Sequence, residues 1–194
     1  QIPRALHGMH IAPHALGIAS RWAVLTRLEP PNPDRYPEKV RDLVKGLTPM
    51  EKLELYDSGN VPERFSQKDA RELRRSIEII YKEYVDDVDY EGKHGASARE
   101  VRSVLLNAAQ DKGFDHLSPI AVLDELQRLV REKSSYAFLR RDAVRGYRDA
   151  AKFVEVVKEH HLQVLDEEVR TSMGLVAADS HRQSFERYIK HVSA

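Results

Sequence analysis

Cysteine is missing from all 194 residues of this chain. Disulfides, thiolate metal sites and cysteine nucleophiles are thereby excluded, and the lack fits a reducing compartment such as the cytoplasm. Long apolar runs are missing too: none approaches the roughly 20 residues that span a bilayer. No signal peptide heads the sequence, so a cytoplasmic location with no membrane partner is expected. Nor is there an excess of one charge, since 31 Lys and Arg residues meet 31 Asp and Glu. Nucleic-acid binding usually needs a basic excess or stripe. Here Arg71, Arg74 and Arg75 are interleaved with acids, and no nucleic-acid partner is expected. The chain opens on Gln1 rather than methionine, which points to a piece of something longer.

What remains is helical periodicity almost throughout, with no convincing alternating strand. A hydrophobic content of 41% beside 32% charged residues suits a folded, helix-rich protein. The expectation is an all-α multi-helix bundle. Pro13 is placed at the start of a first helix carrying Leu16, Ile18, Ala19, Trp22, Ala23 and Leu25, with Trp22 in the core. Glu29-Pro30-Pro31-Asn32-Pro33-Asp34 must end it, because such a proline density cannot continue a helix. A short helix over about 37–47 follows, and then Thr48-Pro49-Met50-Glu51 reads as a capping box that opens another, stopping near Gly59. Ser66 and Asp69 open a longer helix whose buried stripe is Ala70, Leu73, Ile77, Ile80, Tyr81 and Tyr84. Over about 119–132, Ile120, Leu123, Leu126 and Val130 mark one face. The main break runs from Ser134 to Gly146. Beyond it a long helix from Arg148 to Met173 puts Phe153, Val154, Val157, His161, Val164, Leu165 and Val169 in register, with Gly174 as its stop. A last helix carries Phe185, Tyr188, Ile189 and Val192.

The stretch from Gly95 to Leu105, Gly-Ala-Ser-Ala-Arg-Glu-Val-Arg-Ser-Val-Leu, is the most informative. Ser97 is a candidate N-cap, and Glu100 three residues later completes a capping box. Val101, Val104, Leu105 and Ala108 then repeat at helical spacing. Arg99 falls in the first turn, where free amides and the helix dipole favour an anion. A guanidinium there is able to grip phosphate oxygens with paired hydrogen bonds. The plain alternative is a solvated first-turn arginine.

Other constellations are weaker. His10 and His14 are separated by Pro13 and lack the glutamate of a zinc-protease motif, and His160 and His161 point about 100° apart on a helix. The acids between Asp86 and Glu91 do not follow the EF-hand pattern. No metal site is expected. There is no Gly-x-Ser-x-Gly elbow, and no catalytic residue is assigned. Asp166-Glu167-Glu168 with Arg170 reads as a charged helix face with local pairing, or as an inter-domain or substrate contact.

The Gly95-Ala96-Ser97-Ala98-Arg99 segment resembles the sensor-2 motif in the lid of AAA+ ATPases, especially the MoxR-like group. Wider stretches resemble the C-terminal part of bacterial PrkA-family serine protein kinases. They are His10-Ile11-Ala12-Pro13-His14-Ala15-Leu16 running on to Leu28, the segment Tyr90–Glu100, Leu117-Ser118-Pro119, Lys152–Val157, and Asp166–Val176. The resemblance implies an AAA+ lid-like helical subdomain over 1–134 and a PrkA-type C-terminal helical region over 135–194. It implies Arg99 and Ser97 as nucleotide-binding residues, with ATP and Mg held mainly by the parent's own AAA+ core ahead of Gln1. The partners it implies are that core, a protein substrate and further copies of the chain.

A Walker A loop needs an earlier glycine and a Ser or Thr after Gly-Lys, whereas Gly92-Lys93 is followed by His94. The fragment is therefore not expected to be active alone, although the parent is by resemblance an ATP-dependent kinase. Two functions stay open. One is a nucleotide-sensing lid with a regulatory or substrate-presenting region; the other is a nucleotide-independent helical protein-interaction module.

Overall fold

Helix α1 spans Ala15–Arg27 in the structure, a computed structural model that describes residues 8–111, 113 and 115–174. The helix expected around Phe185 to Val192 lies outside the described residues. Pro13 does not start α1, contrary to expectation. His14 intervenes as the N-cap with a left-handed backbone, φ 67°, so the chain turns before it winds. The segment ahead of α1 is tied to the one ahead of α6: Ala12 N–H donates to Leu117 O and Leu117 N–H to His10 O, both at 3.0 Å.

Six further helices follow among the described residues: α2 (Glu38–Lys45), α3 (Pro49–Ser58), α4 (Gln67–Lys82), α5 (Ala98–Ala108), α6 (Pro119–Leu129) and α7 (Ala150–Ser172). No named strand accompanies them, and the protein is all-α. At α3, α4 and α5 the sequence signals for helix starts act as expected. Thr48 and Ser97 each form a complete capping box, and the Ser66 and Ser118 hydroxyls accept from the amides of Asp69 and Ala121. Such caps contribute about 1 kcal/mol each by satisfying amides that have no helical partner.

Two apolar clusters form. The larger joins α1, α5, α6 and the start of α7 through Trp22, Leu25, Val104, Leu117, Val122, Leu126, Phe153 and Val157. The smaller joins α2, α3 and α4 through Tyr36, Val40, Val44, Leu55, Leu73 and Ile80. Helix α3 serves both, with Leu53 in the first and Leu55 in the second. Trp22 is fully buried, and its indole N–H donates to the Ala150 carbonyl at 2.9 Å.

Three expectations about faces need correction. Ile120 is 59% exposed. Helix α6 lies between α1 and α5 and buries an arc through Val122, Leu126 and Leu129, and Ile120 sits roughly 200° from Val122. Tyr81 is 66% exposed, with its ring edge against Tyr56, because Leu73, Ser76 and Ile80 occupy the buried line of α4. Helix α7 starts at Ala150 rather than Arg148, because Arg148 holds a left-handed φ of 65° that an α-helix cannot include. His161 is buried, but Leu165 and Val169 are exposed; the last α7 side chain in the larger cluster is Val157. The chain divides into two compact units, Gln1–Val157 and Lys158–Ala194, and the division falls within α7.

Candidate functional site

The capped end of α5 is held against the last turn of α1 by a short glycine-containing loop. Gly92 N–H donates to Arg27 O at 3.1 Å. The Arg27 guanidinium donates back to Gly92 O at 3.0 Å and to Ala96 O at 2.8 Å. Ala96 N–H donates to the Thr26 hydroxyl at 2.9 Å, and that hydroxyl donates to Ala23 O. Gly95, at φ 117°, lies so close that an added Cβ would stand 2.7 Å from Thr26 O. Only glycine combines that approach with that backbone.

Ser97 then starts the helix. Its N–H donates to Glu100 Oε2 at 2.7 Å, while its hydroxyl accepts from Arg99 N–H at 3.2 Å and also contacts the Glu100 carboxylate. Arg99 is exposed, and among the described residues no side-chain hydrogen bond or ion pair engages its guanidinium. Beside this end runs a groove of about 490 Å³ between α1 and α5, lined by Leu16, Ala23, Val24, Val101 and Leu105, with Arg102 also on its wall.

Burial pushes the Glu100 carboxyl up, yet the hydrogen bonds from Ser97 more than offset this and hold it below its ordinary 4.5. Glu51 at the α3 cap behaves alike: burial raises it, and Arg64 and Thr48 bring it below 4.5. A carboxylate whose folded pKa is depressed stabilises the fold fully above its unfolded value and loses that contribution as pH falls through the folded one. Acidification from above 4.5 to well below it is therefore expected to expose the Thr48 and Ser97 amides to exchange before the helix interiors. NMR amide exchange checks this; unchanged protection at both amides would refute it.

Behind the loop lies a buried polar centre that sequence reasoning missed. The Lys52 side chain is fully buried, and its ammonium donates to Glu91 Oε1 at 2.5 Å and to Glu29 O at 2.7 Å. Burial pulls the Lys52 pKa down, and Glu91 opposes that shift. Glu91 also accepts from Glu29 N–H at 2.8 Å and from the Tyr56 hydroxyl at 3.0 Å. The Glu29 carboxylate, on a residue 4% exposed, faces Arg141 and Arg148, each at 2.8 Å. A legible signal was Lys52 itself, one turn from Leu55 and Tyr56 on the packed side of an amphipathic helix. The pairing with Glu91 spans 39 residues and no local pattern announces it.

The Asp87 and Asp89 carboxylates of the acidic loop are paired with basic side chains from inside and outside it. Asp87 receives both bonds of a forked Arg35 contact, at 2.8 and 3.0 Å. Asp89 faces Lys93 and His94, and bonds from Lys93 first and His94 second hold its carboxyl near 2. Among the described residues no three His, Asp or Glu side chains converge as metal ligands.

Fold and site thus define an all-α helical module whose distinctive feature is one capped helix end presenting an unengaged arginine. A family model for the PrkA serine protein kinase C-terminal domain matches residues 50–194, and the chain belongs to that family. The ATP-dependent protease PrkA of Bacillus subtilis (strain 168) is 24% identical over 186 residues, covering 96% of this chain and 25% of the relative. The chain thus spans about a quarter of the length of that curated relative. No solved structure matches it.

Proposed function

We propose that this chain is the nucleotide-responsive C-terminal portion of a PrkA-family protein. Residues 1–134 act as an AAA+ lid, and residues 135–194 form the helical region the lid drives. The observation that carries this reading is Arg99: an exposed guanidinium with no partner among the described residues, held at a helix end whose amides and dipole also favour an anion. Nucleotide chemistry suits both names attached to the family, since a protein kinase and an ATP-dependent protease each consume ATP. A triphosphate fits the residues present as a ligand contacted from one side only. The remaining contacts, and magnesium, belong in this reading to another part of the parent.

Arg99 would donate paired hydrogen bonds to the terminal phosphate oxygens, and Ser97 would keep the first turn aimed at them. Closure would exclude water and carry nucleotide state into the following helices. The start of the C-terminal region already shares the lid's core through Tyr147, Ala150 and Phe153.

Charge-assisted hydrogen bonds of this kind are worth about 1.5–3 kcal/mol. Arg99→Ala in the longer parent is therefore expected to weaken ATP binding or slow its turnover by roughly ten- to a hundredfold. Unchanged affinity and turnover would remove the assignment.

A nucleotide-independent interaction module is the second reading. It is favoured by five exposed large hydrophobic residues between 79 and 90: Ile79, Tyr81, Val85, Val88 and Tyr90. Such a concentration marks a contact surface. A nucleotide-bound structure of the parent separates the two readings, because only the first puts Arg99 within hydrogen-bonding distance of phosphate.

A further inference from the structure

Three arginines from one short turn converge on the loop that follows α1. Arg141 and Arg148 both donate to the Glu29 carboxylate, one to each oxygen, at 2.8 Å, and Arg145 donates to Pro31 O at 2.7 Å. The turn is closed by reciprocal bonds between Val144 and Tyr147 at 3.1 and 2.9 Å. Tyr147, buried at its end, donates from its hydroxyl to Leu47 O. Arg145 and Arg148 hold left-handed backbones, φ 50° and 65°. Residues with a Cβ keep such angles only where surrounding contacts enforce them. Here the enforcing contacts are those made by the same two side chains, to Pro31 and Glu29. The turn therefore stores strain against an ion pair.

From Glu29 the bonds continue without a gap. Its N–H reaches Glu91, Glu91 adjoins Gly92, and Gly92 and Ala96 are clamped by Arg27 and Thr26 up to the Ser97 cap. Lys52 closes the ring by donating to both Glu29 O and Glu91.

We infer that the 141–148 turn is a clasp that positions Arg99, acting through Glu29 and Glu91. Arg141, Arg148, Glu29 and Glu91 are positioning residues: they fix the ledge on which the first turn of α5 rests and touch no ligand. With the clasp closed, the Gly92–Ser97 loop is pinned and the backbone that carries Arg99 is fixed. With it open, Glu29 is released and the loop loses its support. Helix α7 begins at Ala150, two residues after Arg148, so a displacement of α7 acts directly on the clasp. The functional half of this inference rests on the nucleotide-sensing reading; the positioning half does not.

The test begins with amide hydrogen exchange on this chain. Arg148→Gly removes the guanidinium while relieving the backbone, because glycine accepts φ 65°. It is expected to speed exchange at Gly92, Ala96, Ser97 and Arg99 about tenfold while α4 amides keep their rates, the pattern of a local opening. Glu29→Gln, which keeps the shape and removes the charge, is expected to do the same. An equal rise throughout the chain, or no rise at those four amides in either variant, overturns the inference.

The second arm is a double-mutant cycle in the longer parent. Arg148→Gly is expected to lower ATP turnover when Arg99 is present and to have no further effect beside Arg99→Ala. A full additional loss in that background overturns positioning through Arg99. If Arg99→Ala alone changes nothing, the sensing reading fails, while the exchange result still decides the clasp.

Discussion

Glu91→Ala is expected to lower the unfolding free energy by about 3–5 kcal/mol, the usual cost of leaving one member of a buried ion pair without its partner. The Lys52 ammonium, fully buried, would keep only the Glu29 carbonyl as a hydrogen-bond acceptor. The rings of Tyr56, Tyr84 and Tyr147 stand 5.5–6.0 Å away and offer their faces, which is weaker compensation than a carboxylate. The Glu29 amide is orphaned as well, and the Tyr56 hydroxyl keeps only Ile80 O as an acceptor. Chemical denaturation measures the effect. A companion double variant, Lys52→Met with Glu91→Leu, is expected to recover much of the loss, because two apolar groups leave no buried charge behind. If Glu91→Ala unfolds within about 1 kcal/mol of the parent chain, the ordinary range for an undemanding substitution, this centre does not hold the fold together.

Gly95→Ala should be nearly as damaging, and its damage should be local. The new methyl would lie 2.6 Å from Arg27 Cγ, 2.7 Å from Thr26 O and 2.9 Å from Thr26 C. Two of those atoms are backbone in the last turn of α1 and cannot swing aside. The φ of 117° adds strain of its own. Overpacking and a disfavoured backbone together cost about 2–5 kcal/mol. Gly92→Ala is the control: its φ of 93° is also left-handed, yet nothing lies within 4 Å of the added carbon. That variant should lose only the backbone share, about 1–3 kcal/mol. Equal stabilities for the two variants would show that close approach to α1 is not what Gly95 provides.

These two residues show how legibility divides. Both belong to Tyr90-Glu91-Gly92-Lys93-His94-Gly95-Ala96-Ser97, a stretch whose last member was readable because a cap is a local device. Ser97 and Glu100 interact across one turn, so three residues of spacing announce them. Thr48 with Glu51 and Ser66 with Asp69 were readable for the same reason. Glu91 and Gly95 answer to residues 39 and about 70 positions away, and nothing in their neighbourhood says so. Ile120 and Tyr81 failed differently. Periodicity tells that a helix has a buried face, but the neighbours decide where the arc is centred, as α1 and α5 do for α6.

The long helix start is a third kind of case. Arg148 suits a helix by propensity, yet tertiary contact with Glu29 holds it left-handed.

The sequence alone determined the all-α class, the order of the described helices, the capped starts of α3, α4 and α5 and the presence of Arg99 in a first turn. Each of these follows from contacts within a few residues or from composition. Only the tertiary structure decided that Lys52, Glu91 and Glu29 form one buried centre, that Gly95 fits under α1, and that a strained arginine turn grips the same loop. Those pairings are chosen by burial, which strips water from distant charges and leaves them no partners but one another.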